Sequence, residues 1–290
     1  MIEGNDESTR RIVTIYDDIY DRPDARAYYR AMDAAGFRTA HHAADGFAAA
    51  LSAVRARRGG GACKILDFAS GYGIAAALLR HDLTLDDVLA RYRDPWFDAA
   101  TQPEVITADA RWYRARRIDR QNDVHVGIDV AGNALAYARS VGIFDAVFPE
   151  NLQADTMSDA LRDAMADCDL IVECGSVAHL LPLALDRLLQ AAPGPKPWIV
   201  TAPIRGNDSA AAFDVMRRHG LHVDGMGDRP FRHRRFADSA EQALAIENAA
   251  ARGHDTAGIE SNGFFHAQLY LARPVSETGA VPGWTLRPVA

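Results

Sequence analysis

The chain has 290 residues, of which 48% are hydrophobic and 24% charged, with a formal net charge of −7. That is the balance of a globular α/β domain with room for extra elements. The acidic balance argues against nucleic acid or an anionic membrane as the main partner; the patch Arg232-His233-Arg234-Arg235 is a short local exception.

From the start, Met1 to Arg11 is polar and acidic and lacks the apolar core of a secretory leader. No apolar run approaches the ~18 residues that a membrane-spanning helix needs. The three cysteines, Cys63, Cys168 and Cys174, have neither CxxC nor zinc spacing. No disulfide framework and no metal site is therefore expected, and the expected location is the cytoplasm. Ile12 to Tyr16 leads into Asp17, Asp18 and Tyr20. Asp21 is set to cap a helix with Pro23 in its first turn; that helix carries Tyr28 and Tyr29 and stops at Gly36. A second helix runs from about Ala43 to Arg57, with Phe47, Leu51 and Val54 on one face, and a triple glycine at 59–61 follows. The tyrosines of this extension suit either ordinary packing or a lid over a small-molecule site.

The stretch from Lys64 to Ile74 reads as strand, glycine loop and helix. Gly71 and Gly73 let the backbone take positive φ and let a ligand approach closely, next to the unpaired amides of a helix start. Gly71-x-Gly73-x-x-Ala76 formally satisfies a dinucleotide fingerprint. Asp67, four residues before Gly71, opposes that reading, because a pyrophosphate gains nothing from a carboxylate there. A ligand bearing an amine or a positive charge does gain. Residues 82–123 then form an insertion of two helices. Thr84-Leu85-Asp86-Asp87 caps one, and Thr101-x-x-Glu104 is a capping box for the other, with Pro103 in its first turn. A strand over 104–109 is the alternative; the caps and the helical spacing of Val105 and Trp112 favour helix.

Val124 to Asp129 is the second strand, followed by a helix from Gly132 to Val141. Asp129 can accept from ribose hydroxyls or cap a helix. Ala146 to Phe148 is the third strand, and Asn151-Leu152 lies beyond it. Ser158 opens a helix. Cys168 to Ser176 is the fourth strand with its exit loop. A helix over 182–191, a fifth strand at 198–203 and a helix over 209–219 follow. Leu221 to Val223 and Phe231 to Phe236 are extended. Asp238-x-x-Glu241 opens a helix to Arg252, Phe264 to Leu271 is the last strand, and 274–290 is a turn-rich, loose tail.

Asp67-x-Ala69-x-Gly71-x-Gly73, Gly127-Ile128-Asp129, Asn151-Leu152 and Asp169-Leu170-Ile171-Val172 occur in an order that resembles class I S-adenosylmethionine-dependent methyltransferases, from about Cys63 to Arg273. Ala69 stands where that family usually has glycine. The stretch His81 to Tyr92 is similar to a feature of a bacterial subgroup. The resemblance implies an α/β, Rossmann-like, seven-stranded sheet with helices on both faces and an antiparallel last strand. That domain spans 61–273, between an N-terminal helical extension (1–60) and the tail. It also implies S-adenosyl-L-methionine as cofactor, S-adenosyl-L-homocysteine as product, a small-molecule acceptor, and a monomer or homodimer.

Carried over position by position, the cofactor residues are Asp67, Ala69, Ser70, Gly71, Tyr72, Gly73, Asp129, Val130, Asn151, Leu152, Glu173, Cys174 and Gly175. In the family an Asp of an Asp-Leu pair accepts from the adenine amino group; Asn151 replaces it, and its amide oxygen can still accept. The acceptor side takes Tyr16, Tyr20, Ser176, His179 and Arg235. The candidates for a base are His179, Glu173 and Tyr20, with Tyr16, His233 and His266 behind them; a surface or capping role is the alternative for His179. The exit Glu173-Cys174-Gly175-Ser176 lacks the Asp/Asn-Pro-Pro-aromatic motif of nucleobase amino methylation. Other readings are a different transfer from the same cofactor, an NAD-dependent oxidoreductase, and a binding module without turnover.

Overall fold

The computed structural model describes residues 17–118, 122–174 and 182–289. Three helices, α1 (Asp17–Tyr20), α2 (Arg26–Ala35) and α3 (Thr39–Arg57), precede the first strand, β1 (Lys64–Phe68). The glycine loop leads into α4 (Ile74–Arg80), and the insertion carries α5 (Leu85–Arg91), α6 (Trp96–Ala99) and α7 (Gln102–Arg114). Then come β2 (Val124–Asp129), α8 (Gly132–Ser140), β3 (Ala146–Pro149), α9 (Asp159–Met165), β4 (Leu170–Glu173), α10 (Pro182–Ala191), β5 (Trp198–Thr201) and α11 (Ala210–Arg218). The chain ends with β6 (Leu221–Arg235), α12 (Ser239–Ala251), β7 (Phe264–Pro274) and β8 (Leu286–Pro288).

The strands form one sheet in the order β3-β2-β1-β4-β5-β7-β6-β8. Strands β1 to β5 are parallel, and β7 runs antiparallel between β5 and β6. Strand order switches between β1 and β4, the place where open α/β sheets hold ligands beyond their carboxyl ends. Alternation sorts the side chains. Leu66, Phe68, Val126 and Ile128 pack with α9, α10 and α11 on one face. Asp67 and Asp129, one residue out of phase, fall on the opposite face, over which α4 and α8 lie. There Gly127 leaves room for Phe144: a Cβ on it would lie 2.6 Å from the ring.

The structure departs from the sequence reading in three places. The strands among the described residues number eight, because the tail expected to be loose adds β8 to β6 through Asp224–Pro288, Gly225–Arg287 and Met226–Leu286. The two extended pieces after Gly220 are one bulged strand, β6, held by β7 along its length. Asp21 does not cap α2. Its carboxylate accepts from the backbone N–H groups of Asn133 (2.7 Å) and Ala134 (3.1 Å), so it caps α8 from a distance in sequence. Asp24 serves the start of α2 instead, accepting from Arg26 N at 3.1 Å.

The insertion has the expected caps, with a short α6 between its two helices. Thr84 and Asp87 exchange hydrogen bonds at the start of α5, and Thr101 and Glu104 do so at α7. Residues 104–109 are helix. Fully buried Asp109 ties the insertion down: it accepts from Arg91 Nε (2.7 Å), Tyr92 Oη (2.9 Å) and Tyr137 Oη (2.8 Å). One carboxylate thus joins α5, α7 and α8.

Candidate functional site

The site is built where β1, β2 and β4 end. After Phe68 the chain turns sharply: Ala69 has φ +52, Gly71 φ +50 and Gly73 φ +76. The turn closes through Ser70 N to Ile128 O (3.1 Å) and Gly73 N to Ser70 O (2.7 Å). Gly73 is required sterically, since a Cβ there would lie 2.8 Å from Phe144 and 2.9 Å from Ile143. Ala69 holds a left-handed conformation that L-residues adopt at a cost of about 1 kcal/mol. The glycine that the family usually carries there would pay no such cost.

Asp67 is buried and accepts from Ala76 N at 3.1 Å, which caps the first turn of α4. Burial pushes its carboxyl well above its ordinary value, and the charges of Glu173 and Asp129 push it further. Asp129, also buried, accepts from Gly71 N and Ala131 N at 2.8 Å each. Burial raises its pKa too, while these amides, that of Val130 and the Tyr20 hydroxyl oppose the rise. Among the described residues, no Lys, Arg or His forms an ion pair with Asp67 or Asp129. Glu173, fully buried at the end of β4, accepts from Thr201 Oγ1 at 2.5 Å. Three carboxylates therefore converge on the crevice between β1, β2 and β4.

Two further features suit a ligand. Ser70 Oγ is buried in the loop with no hydrogen-bond partner among the described residues. Val130, directly after Asp129, is 66% exposed, an apolar surface at the rim where a flat ring can stack. Beyond β3, Asn151 Oδ1 accepts from Gln153 N at 3.1 Å and keeps a second lone pair. Leu152 is buried under it, and its carbonyl accepts from Arg187 at 2.7 Å. Cys174 is half-buried, with its thiol pushed up by burial and by Asp67 and Glu173.

The extension comes over this loop. Tyr72 is buried; its hydroxyl accepts from Arg22 N (2.9 Å) and donates to Arg22 O (3.0 Å), and burial raises its pKa to about 12. Tyr28 lies on Tyr72 (ring centroids 4.9 Å apart), and Tyr20 meets Tyr28 edge-on at 5.7 Å. The Tyr20 hydroxyl lies against Gly71, whose own N–H is held by Asp129; a Cβ on Gly71 would lie 2.7 Å from that hydroxyl. Tyr20, chosen from sequence for the acceptor side, thus stands beside the residues chosen for the cofactor.

Other candidates lie apart. Arg235 is exposed and lines a cavity of about 500 Å³ with Arg30, Asp33 and Arg93, whose lining includes none of residues 67–73. His233 meets Thr39 Oγ1 at 2.6 Å, and burial lowers its pKa to about 3. His266 Nδ1 is 3.1 Å from Phe264 O. Neither histidine hydrogen-bonds to residues 69–73 among the described residues. Tyr16, Gly175, Ser176 and His179 lie outside the described residues. Sequence reading missed Asp21 as a tie across the site and Thr201 as the partner of Glu173. A local capping signal marks Asp21 as an acceptor, but it does not say which helix it serves.

No protein-family model matches the chain, and no curated protein matches it. Solved structures similar to it include a TehB-like SAM-dependent methyltransferase from Corynebacterium glutamicum, 20% identical, covering 69% of this chain and 83% of that one with a TM-score of 0.38. Magnesium protoporphyrin IX methyltransferase from Synechocystis PCC 6803 is 9% identical over 81% of this chain and 80% of that one, with a TM-score of 0.40. The plantazolicin methyltransferase BpumL is 13% identical over 79% and 82%, with a TM-score of 0.38. The ground for the fold is the sheet itself, with five parallel strands, an antiparallel β7 inside β6, helices on both faces and an acid–glycine loop after β1. With β8 as an added edge strand, the chain has a Rossmann-like α/β fold.

Proposed function

We propose that this chain is an S-adenosylmethionine-dependent methyltransferase that methylates a small-molecule acceptor and releases S-adenosylhomocysteine. The observation that carries the reading is the pair Asp67 and Asp129: buried, at adjacent strand ends, and without a cationic side-chain partner among the described residues. Buried carboxylates are costly unless something positive or hydrogen-bonding compensates them. A ligand with a sulfonium and an α-ammonium supplies that compensation. A dinucleotide does not, because its pyrophosphate would meet Asp67 at the start of α4, where the Ala76 N–H is already taken.

The residues present fit the cofactor. Asp129 offers carboxylate oxygens to ribose hydroxyls, Val130 offers an apolar surface to adenine, and Asn151 offers an amide beyond β3. Ser70 Oγ offers a hydroxyl that has no partner among the described residues, and Asp67 faces the amino end. When bound, the cofactor supplies a methyl group already activated on a sulfonium, which an acceptor displaces in line. What remains for the protein is orientation and exclusion of water. Tyr20 and Tyr28 lie over the glycine loop, which supports an acceptor small enough to enter a covered site. Glu173 is held by Thr201, so its part is fixing the exit of β4. A cytoplasmic location agrees with the free cysteines.

Calorimetric titration with S-adenosylhomocysteine, with NAD as the control, tests the cofactor. Binding of the first in the micromolar range and none of the second is expected; the reverse sinks the proposal. An acceptor screen that follows S-adenosylhomocysteine release then tests methyl transfer, and methylthioadenosine as the released nucleoside would point to a different transfer.

A further inference from the structure

Tyr72 stands in the glycine loop between two residues of positive φ, Gly71 at +50 and Gly73 at +76. Glycine leaves the backbone on either side of it loosely restrained. Each glycine has one tie of its own: Gly71 N donates to Asp129 at 2.8 Å, and Gly73 N to Ser70 O at 2.7 Å. The residue between them is held by its side chain. Tyr72 is 1% exposed, so almost none of it is open to a ligand. Tyr28 lies 4.9 Å from its ring, and Tyr137 meets it edge-on at 5.7 Å. Asp109 holds Tyr137 in turn, accepting from its hydroxyl at 2.8 Å.

The Tyr72 hydroxyl reaches the N-terminal extension. It accepts from Arg22 N at 2.9 Å, donates to Arg22 O at 3.0 Å and lies 3.5 Å from Ile19 O. These are main-chain groups, so the identity of the side chain at 22 carries none of the tie. The neighbouring Asp21 accepts from Asn133 N and Ala134 N in the first turn of α8, the helix that follows Asp129. Residues 21 and 22 therefore join the middle of the glycine loop to the segment beyond β2. Packing alone does not ask for a phenol at 72, since phenylalanine fills the same space. The hydroxyl is what binds loop and extension to each other.

We propose that Tyr72 is a positioning residue: its hydroxyl fixes the glycine loop to the Arg22 backbone, which makes the N-terminal extension a working part of the cofactor site. The role rests on the cofactor reading above, and it places Tyr72 behind the loop in place of contact with the cofactor. A loop held before the ligand arrives need not be ordered by it, so the tie contributes to affinity through preorganisation.

The test is calorimetric titration with S-adenosylhomocysteine of the full chain, Tyr72→Phe, Asp21→Ala and the double variant, with amide hydrogen exchange on each. Tyr72→Phe keeps the ring beside Tyr28 and Tyr137 and removes only the bonds to the extension. It is expected to weaken binding roughly tenfold, the scale of one or two net hydrogen bonds, and to speed exchange at Arg22, Gly71 and Gly73. Asp21→Ala releases the other end of the tie at an exposed residue and is expected to weaken binding as well. The double variant should lose less than the product of the two factors, because both act on one tie. Unchanged affinity in Tyr72→Phe overturns the positioning role and leaves the cofactor reading standing, even at a lower melting temperature, which would mark a hydroxyl that serves the fold alone. Losses that multiply in the double variant overturn the route through the extension. If Tyr72→Phe does not fold, unchanged affinity in Asp21→Ala overturns the role and weaker binding supports it. Failure of the unmodified chain to bind overturns the cofactor reading and the positioning role together.

Discussion

Asp109 and the pair Asp67 and Asp129 are all buried acids, yet their surroundings differ in kind. Asp109, in the insertion, has an arginine and two phenols aimed at it, with Arg91 Nε at 2.7 Å. Asp67 and Asp129, at the strand ends, have only backbone amides as hydrogen-bond donors among the described residues, and Asp67 also faces the charges of Glu173 and Asp129. Chain-borne donors therefore complete Asp109 within the fold. The strand-end acids are left with raised pKa values and without a counter-charge among the described residues. A buried acid with its own cation holds elements together; a buried acid without one is poised for a ligand that brings the charge.

The contrast breaks most visibly at Asp109. Asp109→Ala leaves Arg91 and two phenols buried without their acceptor and should destabilise the fold by about 3–5 kcal/mol, read by urea unfolding. A loss under ~1 kcal/mol would mean that the network is incidental. Asp129→Ala should do the opposite, keeping the secondary structure while weakening S-adenosylhomocysteine binding roughly ten- to a hundredfold in calorimetry. Unchanged affinity would remove Asp129 from the site.

Asp67 sharpens the contrast through pH. Its folded pKa is raised, so the folded state holds the proton more tightly than the unfolded one. Its contribution to ligand-free stability is therefore greatest at low pH. It falls as pH climbs from about 4, the ordinary carboxylate range, through the raised value. A sulfonium ligand favours the ionised form, so S-adenosylmethionine should bind more tightly across the same window, by at most about tenfold per pH unit for each proton released. Calorimetry in buffers of different ionisation enthalpy reads that proton release, and Asp67→Asn should abolish it. A flat pH profile in the unmodified chain would make Asp67 a cap of α4 and nothing more. The smallest effect is at Ala69: Ala69→Gly relieves the left-handed strain and should stabilise by about 1 kcal/mol in urea unfolding. A loss instead would mean that the Ala69 methyl packs better than it strains.

Much of this was legible in the chain. The acid–glycine loop, the strand ending at Asp129 and the exit of β4 at Glu173 are signals within a few residues, and each lies where its local pattern put it. Helix starts at Thr84, Thr101, Ser158 and Asp238 were equally readable, because a cap is a contact over three residues. What failed to read was what joins distant segments. Asp21 looks like the cap of the helix that follows it and caps α8 instead. The tail after Pro274 has turn chemistry and still pairs with β6, because an edge strand needs only an open neighbour.

The amino-acid sequence by itself determined the alternation of strands and helices, the glycine loop and the acids at the strand ends. Those follow from side-chain period, backbone freedom and local capping. Only the tertiary structure decided that Asp67, Asp129 and Glu173 converge in one crevice, that Asp109 is answered by Arg91, and that Tyr20 lies on Gly71. Those depend on which segments the folded sheet brings within hydrogen-bond distance. Electrostatic and hydrogen-bonding terms act over a few ångströms in space and carry no signature of separation along the chain.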